Sequence, residues 1–440
     1  MTSSAYPKKV WFSFVFSGLT ILFLVATLFT GLTDVDRELA STVALPLGTL
    51  EFANTMESVT ASSRHPVDPG LVMFNNGEEF FADLLREIAA AEHSVTLTNY
   101  VFRDGRMTGE TFDALIRRAK CGVQIRLLLD GNGGKKAPQD KLDALLQAGG
   151  KVEDFRPLGF RYLTRINKRT HVRAIVIDGK VGYTGGLAFD DGWLGDGVGE
   201  DKWRDVMFKY RGAMARATQD QFSALWRPTN GEILSGPDFY PLESDDSAAP
   251  TDTVSPSGSW FVGLFHAPAP DLAADLQDIV FLTVAGSRDH LYITTPYMTP
   301  DKDILEKIMA AARRGVRVEV LMPGPYTDTK LIQAATRARY RDLLGAGVRI
   351  FEYQPGMFHA KTMMADGHWS LIGSANLDNR SATLNVENVF AVEDRRLAGM
   401  LEAEFAANKA RSKEVTLENF RPNPLKTLYF NFARIFAKQY

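Results

Sequence analysis

The chain has 440 residues, of which 45% are apolar and 23% are charged. This composition is close to that of an average globular protein and excludes extensive disorder, and the length predicts two structural units or one large duplicated unit. The net charge of −3 at pH 7 gives no sign of a general polyanion binder, so composition does not favour nucleic acid as a partner. Cys121 is the only cysteine, which excludes an intrachain disulfide.

Residues 10–32 carry no charge and are rich in Phe, Leu, Val and Ile. As a helix with a rise of ~1.5 Å per residue, this segment is about 35 Å long, enough to cross a hydrocarbon core of about 30 Å. The alternative, a cleaved signal peptide, has an apolar run of only about 7–15 residues and a small-residue cleavage site. Lys8 and Lys9 precede the segment, whereas Asp34 and Asp36 follow it. The sequence therefore predicts an uncleaved transmembrane anchor, with the rest of the chain on the outer face.

Beyond the anchor, helical and strand patterns alternate along the chain. Apolar residues recur at helical spacing in residues 78–92 and 112–120, whereas residues 95–102 and 123–129 have the pattern of strands. This alternation predicts an α/β sheet that is buried on both faces. Residues 235–259 contain four prolines and few apolar residues, which is typical of a linker or a long surface loop.

The pattern of the first half then recurs in the second half. Three blocks repeat in the same order: 119–131 (AKCGVQIRLLLDG) with 312–324 (ARRGVRVEVLMPG), 144–155 (ALLQAGGKVEDF) with 342–351 (DLLGAGVRIF), and 171–191 (HVRAIVIDGKVGYTGGLAFDD) with 359–379 (HAKTMMADGHWSLIGSANLDN). A repeat of this length indicates a duplicated domain and not a short-period solenoid. The predicted organisation is an anchor (10–32), a connecting segment (33–70), a first repeat (71–234), a linker (235–259), a second repeat (260–418) and an amphipathic C-terminal segment (419–440).

The second repeat contains a histidine and a lysine in a pattern suited to phosphate chemistry. His359, Lys361 and Asp366 form H-x-K-x4-D, and Ser374 and Asn376 follow. Because residues i and i+2 of a strand face the same side, His359 and Lys361 project together. The ammonium can neutralise phosphate oxygens while the imidazole acts on phosphorus or on the leaving oxygen. The small residues and Asn376 would let the backbone approach the phosphate and donate hydrogen bonds to it.

The first repeat carries the same arrangement, with His171, Arg173 and Asp178 followed by Gly185 and Gly186. One such motif alone selects sites only loosely. Two motifs at matching positions of a repeat favour catalysis, because core packing gives no reason for a cation two residues after the histidine in both halves. The sequence therefore predicts a two-histidine acid–base site.

These motifs are similar to those of the phospholipase D superfamily, and most similar to those of the bacterial cardiolipin synthases. The similarity is nearly residue for residue over residues 359–381 and extends to DGKVGYTGG (178–186), Trp203-Arg204-Asp205, Thr295-Pro296-Tyr297 and Leu384-Asn385-Val386-Glu387. It implies two tandem phospholipase D-like α/β repeats packed as a pseudo-twofold unit. It also implies one active site at the interface of the repeats, a phosphohistidine intermediate, and neither a metal nor a cofactor.

The resemblance also implies roles for individual residues. His171 is the nucleophile, and His359 protonates the leaving alkoxide and then deprotonates the incoming hydroxyl. The exchanged assignment stays open, because the intact motif is the second one. The chain departs from the family pattern at Arg173, where a Lys is usual, and at Ala188, where cardiolipin synthases usually have Asn.

An imidazole nucleophile also needs an acceptor for its second nitrogen. Asp205 and Glu387 lie downstream of the two motifs, at about the places where family members carry orienting carboxylates, so this role is assigned to them. The motif acids Asp178 and Asp366 are expected to brace the turns before Gly179 and Gly367 and not to touch phosphate.

The function that the resemblance implies is transfer of a phosphatidyl group from one phospholipid to a hydroxyl of another, phosphatidylglycerol being the expected acceptor. The rivals are a hydrolytic phospholipase D, a nucleic-acid phosphodiesterase and an inactive lipid-binding protein. The expected partners are phospholipid substrates and the membrane, with no nucleic acid, and no protein partner is inferred. The expected location is a bacterial inner membrane, crossed once, with the catalytic part on the periplasmic face.

The last segment has apolar residues at helical spacing, including Leu425, Leu428, Tyr429 and Phe432. Two interpretations fit this pattern equally: a helix at a membrane interface and an amphipathic helix docked on its own domain.

Overall fold

The computed structural model describes residue 40 and residues 45–157, 159, 167–242, 258–267 and 275–436. The predicted anchor, residues 10–32, lies outside these ranges, as does most of the predicted linker. Within them, no helix combines the length and the apolar character that crossing a bilayer requires.

The described elements alternate as the sequence pattern predicts, and their bounds follow in chain order. The helices are α1 (Leu50–Thr60), α2 (Gly77–Ala90), α3 (Arg106–Lys120), α4 (Gln139–Gln147), α5 (Gly212–Asn230), α6 (Asp275–Gly286), α7 (Lys302–Arg313), α8 (Lys330–Arg337), α9 (Tyr340–Gly345), α10 (Asn379–Thr383), α11 (Arg395–Lys409) and α12 (Pro424–Phe436). The strands are β1 (His65–Pro66), β2 (Val72–Phe74), β3 (Ser94–Asn99), β4 (Gln124–Asp130), β5 (Lys151–Phe155), β6 (Ala174–Ile177), β7 (Val181–Gly185), β8 (Trp203–Arg204), β9 (Met207–Arg211), β10 (Trp260–His266), β11 (His290–Thr294), β12 (Met298–Thr299), β13 (Arg317–Pro323), β14 (Arg349–Tyr353), β15 (Met357–Phe358), β16 (Thr362–Ala365), β17 (Trp369–Gly373), β18 (Leu377–Asp378), β19 (Glu387–Glu393) and β20 (Ser412–Val415).

Each repeat forms its own mixed sheet, and the two sheets have matching strand orders. The first is β2-β9-β7-β6-β3-β4-β5, and the second is β1-β10-β19-β17-β16-β11-β13-β14-β20. In both, three parallel strands (β3-β4-β5 and β11-β13-β14) adjoin an antiparallel part that carries the motif hairpin, β6-β7 or β16-β17. The predicted duplicated α/β fold is therefore confirmed.

Burial on both faces explains the continuous apolar strand patterns. All six residues of β3 are buried, as are the last six of β4. One face of each sheet packs on its own helices, whereas the opposite faces share a core that includes Phe208, Phe390 and Leu397. The ring of Tyr210 in the first repeat meets that of Phe390 in the second edge to face, with 5.6 Å between centroids. The two repeats thus form one continuous hydrophobic structure.

The described part of the predicted connecting segment folds onto the second repeat. Helix α1 begins at the N-cap Thr49, whose side chain accepts from the backbone N–H of Phe52. It buries Phe52 and Met56 in the core of the second repeat, where Phe52 meets Trp369 edge to face at 4.9 Å. Strand β1 adds to the edge of the same sheet through β10. These residues are therefore part of the catalytic domain and not merely a connection.

Candidate active site

Short parallel pairings between the repeats place the two motif histidines. Strand β8 of the first repeat pairs with β15 of the second, and an isolated bridge joins Thr170 to Val386. The N–H of His359 donates to the carbonyl of Arg204 and that of His171 to the carbonyl of Val386, each at 2.8 Å. Both histidines therefore emerge at the boundary between the repeats, in equivalent positions.

His171 is held by the carboxylate of the opposite repeat. Its Nδ1 lies 3.0 and 2.9 Å from the two carboxylate oxygens of Glu387. Glu387 is completely buried and also accepts from the hydroxyl groups of Ser374 and Ser381 at 2.5 and 2.7 Å. This network keeps the carboxylate in place, so the Nδ1–H of His171 points into it and Nε2 points the other way.

His359 is held in the same crossed manner. Its Nδ1 lies 2.7 Å from Oδ2 of Asp205, which belongs to the first repeat. Asp205 also accepts from its neighbour, the N–H of Val206, and from the indole N–H of Trp193, at 2.8 and 3.3 Å. The sequence predicted both carboxylates but not the crossing, in which each one serves the histidine of the other repeat.

Each motif cation lies close to both nitrogens of the imidazole two residues before it. Nη1 of Arg173 is 3.1 Å from Nε2 and 3.4 Å from Nδ1 of His171, and Nζ of Lys361 is 2.8 Å from Nδ1 and 3.2 Å from Nε2 of His359. The guanidinium is anchored by a bond from its Nε to the carbonyl of Leu187 at 3.1 Å, and the ammonium by a bond to the carbonyl of His359 at 2.6 Å. All four side chains are buried, so the arrangement is a compact cationic centre between two imidazoles.

Comparison with known proteins gives this geometry a family. The family model for the cardiolipin synthase, phospholipase D-like domain matches residues 84–226 and 282–409. The chain belongs to this family. It is therefore an enzyme, a phosphatidyltransferase of the phospholipase D superfamily.

The relatives cover most of the chain. The cardiolipin synthase of Halalkalibacterium halodurans is 31% identical over 79% of this chain and 68% of its own length. That of Geobacillus kaustophilus is 30% identical over 82% of this chain and 71% of its own length. Among solved structures, the phosphatidylserine synthase of Haemophilus influenzae Rd KW20 superposes with a TM-score of 0.66 at 17% identity, covering 88% of this chain and 98% of the other, which indicates a shared fold.

The two repeats differ at the residue that follows the last glycine of β7 and of β17. Ser374 follows β17 and donates to Glu387, whereas the matching Gly186 follows β7. A Cβ atom at Gly186 would lie 2.0 Å from Oδ1 of Asp205. Gly186 therefore leaves room for the carboxylate of Asp205. Asp205 accepts hydrogen bonds from Trp193 and Val206, whereas Glu387 accepts one from the hydroxyl of Ser374.

Asn376 and its counterpart Ala188 also differ in their surroundings. Oδ1 of Asn376 is buried and has no hydrogen-bond partner among the described residues. Asn376 and Lys361 both line a small, mainly apolar cavity of about 50 Å³. Ala188 instead packs into the core of the first repeat, so the polar acceptor exists on one side of the site only.

Three aromatic residues that the motif pattern did not indicate adjoin the His359 side of the site. Trp193 and Trp203 place their rings 5.5 and 4.9 Å from that of His359, and Tyr297 lies 6.4 Å away. Tyr297 and Trp203 fall in the segments that carry the resemblance, whereas Trp193 has no comparable signal. These rings limit access of water to the His359 side of the site.

Burial and the neighbouring cations keep both imidazoles neutral. Burial, and then Arg173, lower the pKa of His171 to about 4, and burial and Lys361 lower the pKa of His359 to about 3. Burial alone would raise the pKa of Glu387, but its bonds from His171, Ser374 and Ser381 bring it to about 2. At neutral pH, a neutral imidazole therefore faces an ionised carboxylate, which leaves the Nε2 lone pair available for attack on phosphorus.

Lys361 gives the site a pH dependence near neutrality. Burial, and then the charge of Arg173, lower its pKa to about 7 although Asp205 and Glu387 act in the opposite direction. A lowered pKa means that the ammonium is present below pH 7 and is lost above it. We expect the fall of log kcat/KM with pH, which reports the free enzyme, to steepen by about one unit per pH unit above that value. Lys361→Arg should remove this change of slope, and a wild-type profile with a constant slope between pH 6 and pH 9 would contradict the assignment.

The motif acids lie away from the histidines. His171 lies three residues before β6 and Asp178 directly follows it, so the four residues of the strand, which alone span roughly 13 Å, separate the two side chains. The carboxylate of Asp178 accepts from the backbone N–H groups of Glu92, His93 and Ser94. Asp366 does the same for Arg288, Asp289 and His290. Although both acids belong to the catalytic motif, they brace the turns that lead into β3 and β11 and do not contact the reacting groups.

This position predicts a stability effect without a catalytic one. Asp178→Ala removes the acceptor for three backbone donors and leaves alanine at a φ of 53°. We expect the free energy of unfolding to fall by about 1–3 kcal/mol, measured by urea denaturation. Turnover per folded molecule should not change, and Asp366→Ala should behave in the same way. Loss of turnover at unchanged stability would place Asp178 in the reaction instead.

Proposed function

We propose that this enzyme transfers a phosphatidyl group from one phospholipid to a hydroxyl group of a second, with phosphatidylglycerol as both donor and acceptor. The observation that supports this proposal is the crossed pair of imidazoles, each with its Nδ1 fixed by a buried carboxylate and its Nε2 beside a cation. Two such groups meet the needs of a two-step displacement at phosphorus. The names of the relatives, cardiolipin synthases, favour the same reaction.

In the first step, Nε2 of His171 attacks phosphorus and a phosphorus–nitrogen bond forms. The bond from phosphorus to the leaving glycerol oxygen breaks, and His359 gives its Nε2 proton to that oxygen. His359 acquires this proton when the negative phosphate binds between Arg173 and Lys361, because that charge opposes the cations that lower its pKa. The guanidinium and the ammonium stabilise the charge on the phosphate oxygens.

In the second step, His359 accepts the proton of the incoming hydroxyl. The oxygen then attacks phosphorus, the phosphorus–nitrogen bond breaks and His171 is restored as a neutral imidazole. The buried Oδ1 of Asn376 can accept a hydrogen bond from a lipid hydroxyl. With water as the incoming group, the same residues would hydrolyse the lipid.

The test is incubation of the purified full chain with phosphatidylglycerol that carries label in its phosphate. Cardiolipin and free glycerol are the expected products, and the double variant His171→Ala, His359→Ala serves as the inactive control. Phosphatidic acid as the main product would replace transfer by hydrolysis, and no conversion would overturn the proposal.

We further propose that residues 10–32 anchor the enzyme in the inner membrane, with the catalytic part on the periplasmic face. The support is the uncharged segment with Lys8 and Lys9 before it. A protease added to spheroplasts should digest the catalytic part without lysis. Digestion only after lysis would reverse the orientation.

A further inference from the structure

An exposed carboxylate that the proposed mechanism does not use lies on the His359 side of the site. Asp328 belongs to the loop between β13 and α8. Its Oδ2 accepts a hydrogen bond of 2.5 Å from the hydroxyl of Tyr297. The ring of Tyr297 in turn lies edge to face with that of His359, with 6.4 Å between centroids. One hydrogen bond therefore joins Asp328 to a ring beside the acid–base histidine.

Asp328 is also close enough to act electrostatically on Lys361. Burial lowers the pKa of Lys361, and the negative charge of Asp328 acts against this effect, together with the charges of Asp205 and Glu387. Asp205 and Glu387 are buried and each holds a histidine, whereas Asp328 is exposed and can meet a ligand that enters from outside. A carboxylate in this place repels a second phosphate but accepts hydrogen bonds from hydroxyl groups.

A second acceptor lies next to Tyr297. Strands β12 and β18 pair in parallel with Met298 opposite Leu377, which puts the preceding residues, Tyr297 and Asn376, at neighbouring positions. Oδ1 of Asn376 is buried and has no hydrogen-bond partner among the described residues. A buried acceptor without a donor costs free energy, which a ligand hydroxyl would recover. The His359 side of the site thus offers two acceptors, an amide oxygen and a carboxylate.

The first repeat has the opposite charge at the matching place. Counted from the ends of the matching blocks 119–131 and 312–324, Lys135 and Asp328 are both the fourth residue, and both are exposed. The first repeat thus has a cation where the second has the carboxylate, and an alanine takes the place of the amide. This difference points to a group that only His359 handles. In the proposed mechanism that group is the alcohol, either leaving or incoming.

We propose that Asp328, held by Tyr297, and Asn376 form a subsite for a polyol headgroup, in which they accept hydrogen bonds from the free hydroxyl groups of glycerol. This inference deepens the proposed function and rests on it for the role of His359, which acts on the reacting oxygen of the glycerol. When that oxygen lies at His359, a leaving glycerol still has two hydroxyl groups to be bound. A simple alcohol such as propanol has none.

The test compares two headgroups as leaving groups in one mixture. Mixed micelles contain equal amounts of phosphatidylglycerol and phosphatidylpropanol, each labelled in its headgroup with a different isotope, and the purified full chain releases the two alcohols. Their ratio gives the relative kcat/KM whatever the amount of active enzyme, and whether water or a second lipid accepts the phosphatidyl group. The variants are Asp328→Ala and Asp328→Asn, and the matched control is Asp140→Ala, at an exposed aspartate of the first repeat.

The wild-type enzyme and Asp140→Ala should release glycerol in preference to propanol. Asp328→Ala should lower this preference by roughly tenfold or more, since a site built to bind a hydroxyl discriminates against an analogue without it. Asp328→Asn should keep part of the preference, because an amide oxygen still accepts a hydrogen bond. An unchanged ratio in Asp328→Ala would overturn the inference. A preference for ethanolamine over glycerol that depends on Asp328, measured with phosphatidylethanolamine in the same mixture, would also overturn it, because the occupant would then be an ammonium group.

The products separate this inference from the proposed function. A glycerol preference that depends on Asp328, with phosphatidic acid as the product, would overturn transfer and leave the subsite standing. Cardiolipin as the product, with the same alcohol ratio in the wild-type enzyme and Asp328→Ala, would overturn the subsite alone. Release of neither alcohol would overturn both.

Discussion

Replacing either His171 or His359 by alanine should reduce the turnover of labelled phospholipid by roughly 10⁴-fold or more, since nucleophile and acid act as one unit. No neighbouring side chain can take over the role of either histidine. The crossed contacts fix each imidazole by a carboxylate of the other repeat, and no third histidine adjoins the site within the described residues. His290→Ala is the matched control: His290 is also buried and bonded to acids, Asp289 and Glu402, but outside the site. Near wild-type turnover of either site variant would exclude the two-histidine mechanism.

The same variants can identify the nucleophile. A phosphatidyl ester of p-nitrophenol has a leaving group that needs no proton, so a variant that lacks only the acid can still form the covalent intermediate. With this substrate His359→Ala should release one equivalent of nitrophenol in a burst and retain labelled phosphatidyl group, whereas His171→Ala should do neither. The reverse result would exchange the two roles.

Arg173→Ala should raise the barrier of the reaction by about 2–4 kcal/mol, the range for loss of one preorganised donor at a developing charge. This corresponds to a decrease in kcat/KM of about 30- to 1000-fold. The guanidinium is 2% exposed, bonded to the carbonyl of Leu187 and 3.1 Å from Nε2 of His171, so it is already placed where a phosphate must bind. Arg173→Lys should keep a substantial part of the rate, because the matching position of the second repeat holds Lys361.

The control for Arg173 is a buried arginine remote from the histidines. Arg126 is 6% exposed and pairs with Glu232. Arg126→Ala should lower the free energy of unfolding without changing turnover per folded molecule. Both quantities are measured on one preparation of each variant. Unchanged turnover per folded molecule of Arg173→Ala would remove Arg173 from the site.

Local pattern predicted the strands better than the helix ends. The predicted strand at 123–129 corresponds to β4, because the continuous apolar run is a direct consequence of burial on both faces. Helix α3 instead begins six residues before its predicted start. No side chain of its own N-cap closes the first turn, and the carboxylate of Asp191 accepts the N–H groups of Arg106 and Met107. A cap supplied from so far along the chain leaves no local signal.

In the active site too, local sequence spacing predicted some residues, whereas others are brought in by distant parts of the chain. His359 and Lys361 lie between β15 and β16, and His171 and Arg173 lie before β6, so neither pair is within a strand as predicted. The side chains of each pair nevertheless lie side by side, as their spacing predicted. The sequence pattern did not predict all the hydrogen-bond partners of Glu387. Asn385, two residues before the start of β19, has Nδ2 3.4 Å from Oε1, and it falls in the segment Leu384–Glu387 that carries the resemblance. Ser381 reaches the carboxylate only because α10 folds back.

The crossed pairs also restrict how substrate can enter. If the two repeats moved apart by even an ångström or two, His171 and His359 would both lose the acceptor for Nδ1 at the same moment, since each acceptor lies on the opposite repeat. A state in which the repeats are hinged apart would therefore lack an intact catalytic centre. We expect lipids to enter by movement of the surrounding loops and side chains, with the boundary between the repeats closed during the chemical steps.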